Sequence, residues 1–261
     1  MKTTVRAALL TASITVLFLP AAQRAVAADA EVSVLCSNGF KAAMEKLQPE
    51  YEHSLGIKMN VTFGTSAKIK GAIEGGEAFD LAILTSPIIT DLSKDGKIAA
   101  GTAVDIASSG IGIAVRAGAP KPDVSTPAAV KQTLLKAKSI AYVKEGASTP
   151  GIVSMFNTLG IGDEVQKKVL YQPGADQNMA SVANGQAELS FGLVSEIVPV
   201  PGVQLAGPLL PEFQRPITMS AGIGSSAKNR KAVEKIVKSL TSAASAPTIQ
   251  STGMDPVAKK K

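Results

Sequence analysis

The chain predicts an α/β protein of two lobes, and three observations carry that prediction. Short β-branched runs alternate with helical patterns from residue 31 onward, as expected of strands joined by crossover helices. The alternation breaks near residue 102, where two extended segments follow one another, and restarts beyond the proline-rich stretch 120–127. A strongly amphipathic segment, 228–240, is left over after the second block. Such a chain starts in one lobe, crosses to the other and returns.

Each element follows from local pattern. Residues 31–37 read as the first strand, and Asn38-Gly39 turn it into a helix over 40–55. Phe40, Ala43, Met44, Leu47 and Tyr51 fall on one face of that helix, the spacing of a buried stripe. A second strand, 58–63, leads to a helix over 66–74, and a third, 79–84, to a helix over 87–95. Segments 102–107 and 110–116 are extended and parted by Ser108-Ser109. In the second block a helix over 127–136 precedes strand 139–143. The next helix opens at Pro150, since proline suits a first helical turn. Helix 163–169, strand 170–172, helix 175–184 and strand 187–192 follow. Extended segments 203–206 and 217–223 lead back to the helix over 228–240 and a last turn over 247–251. The expected division is 28–107 and 222–261 for lobe one and 108–221 for lobe two. Each lobe is a mixed, mostly parallel sheet flanked by helices, with a ligand cleft at the carboxyl ends of the strands.

Residues 1–27 read as an export leader. Lys2 and Arg6 form a basic start, an apolar run spans 7–19, and Ala25-Val26-Ala27 supply small residues before the cut. That run falls short of the roughly 20 residues a spanning helix needs. Cys36 follows the bulky Leu35, which speaks against a lipid anchor. Half of the formal charge of +6 leaves with Lys2, Arg6 and Arg24, and Lys259, Lys260 and Lys261 add as much again at the tail. The folded body is near neutral. With no Trp and only three Tyr it has little surface on which bases could stack. The expected mature protein is a periplasmic monomer that binds no nucleic acid.

Catalytic chemistry finds few reactive groups. His53, the single histidine, lies on the polar late turn of the first helix, and Cys36 has no second cysteine or nearby histidine to activate it. No G-x-S-x-G elbow, phosphate loop or zinc-spaced ligand set occurs. Gly222-x-Gly224-x-x-Ala227 fits a relaxed dinucleotide pattern, but no strand ending in a ribose-binding acid follows it. The expectation is a non-enzyme without cofactor or metal.

Binding chemistry gathers instead at the strand-to-helix turns. Ser37-Asn38-Gly39, Thr65-Ser66-Ala67, Ser148-Thr149-Pro150-Gly151 and Gly174-Ala175-Asp176 each open a helix, two in each lobe. A helix start presents unpaired N–H groups and partial positive charge, so several aimed at one cleft hold an anion without a formal countercharge. One such turn is only an ordinary cap; the joint arrangement is what points to a site. The candidate ligand-binding residues are Ser37, Asn38, Ser66, Lys68, Ser148, Thr149, Gly151, Ala175 and Asp176.

At these turns the sequence resembles the periplasmic molybdate-binding proteins. Val34-Leu35-Cys36-Ser37 before an amphipathic helix is similar to the family's first strand and ligand serine. Phe63-Gly64-Thr65-Ser66-Ala67 resembles the F-G-S-S-G segment, and residues 73–83 resemble the I-x-x-G-x-x-x-D-V-x-I run. Residues 184–188 are similar to the G-E-A-D step, and Gly253-Met254-Asp255-Pro256 to the usual ending. The resemblance implies a class II-type periplasmic binding protein, the solute-binding component of an ABC importer that serves an inner-membrane permease. Its buried oxyanion, molybdate or tungstate, would be held by Ser37 and Ser66 from lobe one. Residues 148–151 and the backbone around Ala175 would complete the cage from lobe two. Three positions depart from the pattern. Leu193 stands where a ligand tyrosine is expected, Asp176 would repel an anion if it faced the cleft, and Lys68 would add a cation. An organic carboxylate or another anion, taken up or sensed, is the alternative ligand.

Overall fold

A six-stranded and a five-stranded sheet divide the chain. The computed structural model describes residues 30–257; the expected leader at 1–27 and the lysines at 259–261 lie outside the described residues. The first block runs β1 (Ala30–Ser37), α1 (Asn38–Leu55), β2 (Ile57–Gly64), α2 (Ser66–Glu74), β3 (Leu81–Thr85), α3 (Ser86–Lys94) and β4 (Val104–Ser109). The second opens with β5 (Ile111–Arg116), α4 (Pro127–Lys136), β6 (Ile140–Val143), α5 (Thr149–Thr158) and α6 (Gly162–Gln166). It closes with β7 (Val169–Gln172), α7 (Ala175–Ala183), β8 (Leu189–Leu193), α8 (Val194–Ile197) and β9 (Val203–Pro208). The chain then returns through β10 (Ile217–Ile223), α9 (Arg230–Leu240), α10 (Ala246–Gln250) and β11 (Asp255–Pro256).

The strand orders are β11-β4-β10-β3-β1-β2 in the first sheet and β7-β6-β8-β5-β9 in the second. Parallel pairing joins β2, β1 and β3 in one sheet and β7, β6 and β8 in the other; the remaining pairs are antiparallel. The sheets are therefore mixed, with a smaller parallel share than expected. The antiparallel halves contain the strands that carry the chain between lobes, which have no crossover helix to restore a parallel direction. The result is a two-lobed α/β fold. Sheet membership puts the exchanges at Gly110 and within 209–216, against the expected 107/108 and 221/222, because Ser109 still pairs with Ile217 in the first sheet.

The helices bury the faces their spacing predicts. In α1 the buried residues include Phe40, Ala43, Met44, Leu47 and Tyr51, and in α9 they are Ala232, Val233, Ile236 and Leu240. Helix α1 starts at Asn38, directly after β1, with the extended Ser37 as its N-cap. Cys36 is fully buried, and burial pushes its thiol well above the usual range. His53 is exposed. A Cβ on Gly224 would lie 2.5 Å from the Phe79 carbonyl oxygen, so the dinucleotide-like glycine serves close packing.

Asp80 explains the acid in the 73–83 run. It is buried, and its Oδ2 accepts the Ser33 N–H at 2.9 Å while Oδ1 accepts the Lys228 N–H at 2.7 Å. One carboxylate thus ties the approach to β3 to strand β1 and to the segment before α9. Asp80→Asn turns an amide NH2 against one of these N–H donors. The expected loss is about 1.5–3 kcal/mol, read as a lower urea midpoint at an unchanged slope.

Candidate functional site

The carboxyl ends of the central strands meet across the two lobes. Between them lies a cavity of about 20 Å³, walled on the lobe-one side by Ser37, Asn38, Thr65 and Ser66. The other wall consists of Val143 after β6, the turn Gly146-Ala147-Ser148, Ala175, the β8 residues Phe191 and Leu193, and Glu196 of α8. The starts of α1, α2, α5 and α7 all border this space. Four helix N-termini therefore lend it partial positive charge and N–H donors.

The hydroxyls are ordered by a relay. The Thr85 N–H donates to Ser66 Oγ at 3.2 Å, and Ser66 Oγ donates to Ser37 Oγ at 3.0 Å. Ser37 is left with its own O–H to offer. Ser148 also borders the cavity, and its hydroxyl makes no hydrogen bond among the described residues. Its backbone is helical, with φ −77° and ψ −19°, so it is the first residue of a turn rather than an extended cap.

Other expected residues lie elsewhere. Thr149 donates its hydroxyl to the Val143 carbonyl at 2.6 Å, turning it to the backbone. Gly151 packs against Ile111, whose Cδ1 would lie 2.8 Å from a Cβ there. Lys68 spans the lobes at the rim, with Nζ 3.5 Å from the Pro173 carbonyl oxygen, and does not wall the cavity. Asp176 is also at the rim. Its exposed carboxylate pairs with Lys41 of α1 at 2.8 Å, so the expected repulsion is spent on a cation of the opposite lobe. Ser195 Oγ donates to the Gly39 carbonyl at 2.8 Å, a third tie between lobes. Beneath the Lys41–Asp176 pair is a second cavity of about 190 Å³, which shares Asn38, Ala175 and Glu196 with the first. A larger open groove of about 620 Å³ on lobe two, walled in part by Arg116, Lys136 and Glu188, lacks such convergent helix starts.

Glu196 is the residue that sequence reasoning missed. It sits on the four-residue helix α8, and its Oε2 accepts the Leu193 N–H at 3.1 Å. The residue is partly buried as a whole, but its carboxyl is enclosed. Burial pushes that carboxyl up to about 7; the Leu193 N–H pulls it back, and the charge of Asp176 adds to the rise. The available signal was a glutamate three residues after a strand end, placed to reach back to the backbone as in a capping box.

Two lobes, exchanged by two crossings and closed over a cage of neutral donors at the strand ends, define a binding protein of the periplasmic type. The chain belongs to the family of bacterial extracellular solute-binding proteins, whose family model matches residues 32–255. It is 30% identical over 232 residues to a protein named aconitate isomerase from a Pseudomonas species, covering 87% of this chain and 88% of that one. It is 27% identical over 170 residues to the molybdate-binding protein ModA of Azotobacter vinelandii, covering 64% and 66%. Among solved structures, the Azotobacter vinelandii periplasmic molybdate-binding protein superposes with a TM-score of 0.73 at 16% identity, over 85% of this chain and 98% of that one. At that identity the likeness is one of fold.

Proposed function

We propose that this chain is exported after loss of residues 1–27, captures a small organic acid anion between its lobes as a monomer, and delivers it to an ABC permease without metal or cofactor. The observation that carries the choice of ligand is the pair Leu193 and Glu196 in the cavity wall. A leucine replaces a hydroxyl donor, and an added carboxyl burdens a fully ionised oxyanion while it can share a proton with an organic acid. The second cavity beside the first leaves room for the rest of a di- or tricarboxylate. The relative named for aconitate supports the same choice. Ser37 and Ser66 keep the two hydroxyls that the resemblance to molybdate-binding proteins implies, so molybdate and tungstate are the competing ligands.

A thermal-shift panel on purified, dialysed protein tests the proposal, with citrate, cis- and trans-aconitate, succinate, sulfate, molybdate and tungstate. A ligand at 100 times its Kd stabilises the fold by about 2.7 kcal/mol, a shift of several degrees. Shifts with carboxylates alone are expected; shifts with molybdate and tungstate alone would replace the organic acid with the oxyanion.

Glu196 favours a second reading. An enclosed carboxyl titrating near 7 is suited to moving a proton on a bound unsaturated acid, the kind of step an isomerase carries out. Proton NMR of cis- and trans-aconitate incubated with the protein separates binding alone from interconversion.

A further inference from the structure

We propose that the trap takes up a proton together with its anion, and that Glu196 is where that proton sits. The inference rests on the reading of the cleft as a site for a small anion and adds how capture is regulated. Among the described residues Glu196 is the one acidic side chain walling the inner cavity, and none of their lysines or arginines walls it with Glu196. Its carboxyl is held by a single hydrogen bond among the described residues, from the Leu193 N–H.

The charged groups facing it come from two helices. Helix α7 contributes Asp176, and α1 contributes Lys41 and Glu45, which share the wall of the outer cavity with Glu196. Lys41 is engaged by Asp176 at 2.8 Å and is not free to neutralise a second carboxylate. Helix α2, strand β8 and the turn 146–148 present no charged side chain to the inner cavity. An anion seated there meets Glu196 at contact distance inside a closed cage. Two negative charges so placed cannot both persist, and four helix starts favour keeping the one that belongs to the ligand.

The sign follows from linkage. The bound anion raises the affinity of Glu196 for its proton, so the proton raises the affinity for the anion by the same factor. Without ligand the carboxyl titrates at about 7. Below that value Glu196 already carries its proton, so it sets no negative charge against the anion and adds a donor. Above it each bound anion must bring a proton, and affinity falls by about tenfold per pH unit.

Isothermal titration calorimetry of the full mature chain with citrate, trans-aconitate and molybdate, between pH 6 and 8.5, tests this. Repeating each titration in two buffers of different ionisation enthalpy counts protons directly. The expected result is uptake approaching one proton per anion at pH 8, with affinity falling above pH 7. Glu196→Gln, which keeps the shape and a neutral donor, should lose the fall in affinity above pH 7 and keep only the ligand's own titration. Equal proton counts for wild type and Glu196→Gln, or an affinity that rises with pH, would overturn the coupling and leave the receptor intact. If no probe binds at pH 6, where Glu196 carries its proton, both the coupling and the anion trap fall.

Discussion

Valine in place of Gly39 is expected to weaken anion capture about 100-fold, close to 2.7 kcal/mol, while leaving both lobes folded. Gly39 lies in the first turn of α1, where lobe two comes closest. A Cβ there would meet the Met219 side chain and lie 2.8 Å from Leu193 Cδ1, and the Gly39 carbonyl receives the Ser195 hydroxyl from across the cleft. Met219 belongs to the same lobe, and the contacting atoms are the far end of its flexible side chain, which has to shift within the core. Leu193 is fixed at the end of β8, so a branched side chain acts as a wedge against closure. Overpacking of this kind costs about 1–3 kcal/mol; the contact with Leu193 burdens the closed state alone, while the shift of the buried Met219 burdens lobe one in both states. The urea midpoint should fall by less than the loss of affinity implies, since only the Met219 shift reaches the ligand-free fold. Small-angle scattering should show a variant that stays extended in saturating ligand, whereas the wild type contracts. A valine variant that binds as tightly as wild type would mean that the lobes do not close through this contact.

Ser66→Ala is expected to lower both stability and affinity. Ser66 Oγ accepts the Thr85 N–H and donates to Ser37 Oγ, and all three residues are buried. Removing it leaves an N–H unpaired in the interior, a cost of about 1–3 kcal/mol. It also releases the Ser37 hydroxyl from the orientation that aims its hydrogen at the cage. Affinity should fall about tenfold, since the Ser37 donor that Ser66 orients loses its direction. Thr126→Ala provides the control. Thr126 caps α4, accepting the Ala129 N–H at 3.1 Å, away from the cleft, and its loss costs about 1 kcal/mol of stability. Equal affinity losses in the two variants would reduce the Ser66 effect to general destabilisation.

Helices α2 and α4 have the expected bounds, because each opens on a threonine that accepts an N–H three residues on. The buried stripe of α1 was legible from spacing, while its start was expected two residues late because β1 runs into it without a turn. The convergence of helix starts could be read from the order of strands and turns. What could not be read is where each side chain points. Thr149 and Lys68 sit one or two positions from residues that wall the cavity, yet one hydroxyl turns to the backbone and one ammonium reaches over the rim. Asp176 is one residue past Ala175, and that single step along α7 moves it from the cage wall to an exposed ion pair. Helix α8 escaped altogether: four residues hold no periodicity, and Glu196 went unseen with it.

A cage whose donors are largely main-chain atoms has a consequence for how such receptors diversify. The N–H groups at the starts of α1, α2, α5 and α7 belong to the fold, and no substitution other than proline deletes them. The general attraction for negative charge is therefore inherited with the architecture. The two wall positions contributed by the end of β8 and by α8, residues 193 and 196, carry no such obligation. Leucine and glutamate there reset shape, hydrogen-bond balance and proton demand without touching the frame. A lineage built this way can change cargo at two neighbouring positions while its frame stays the same.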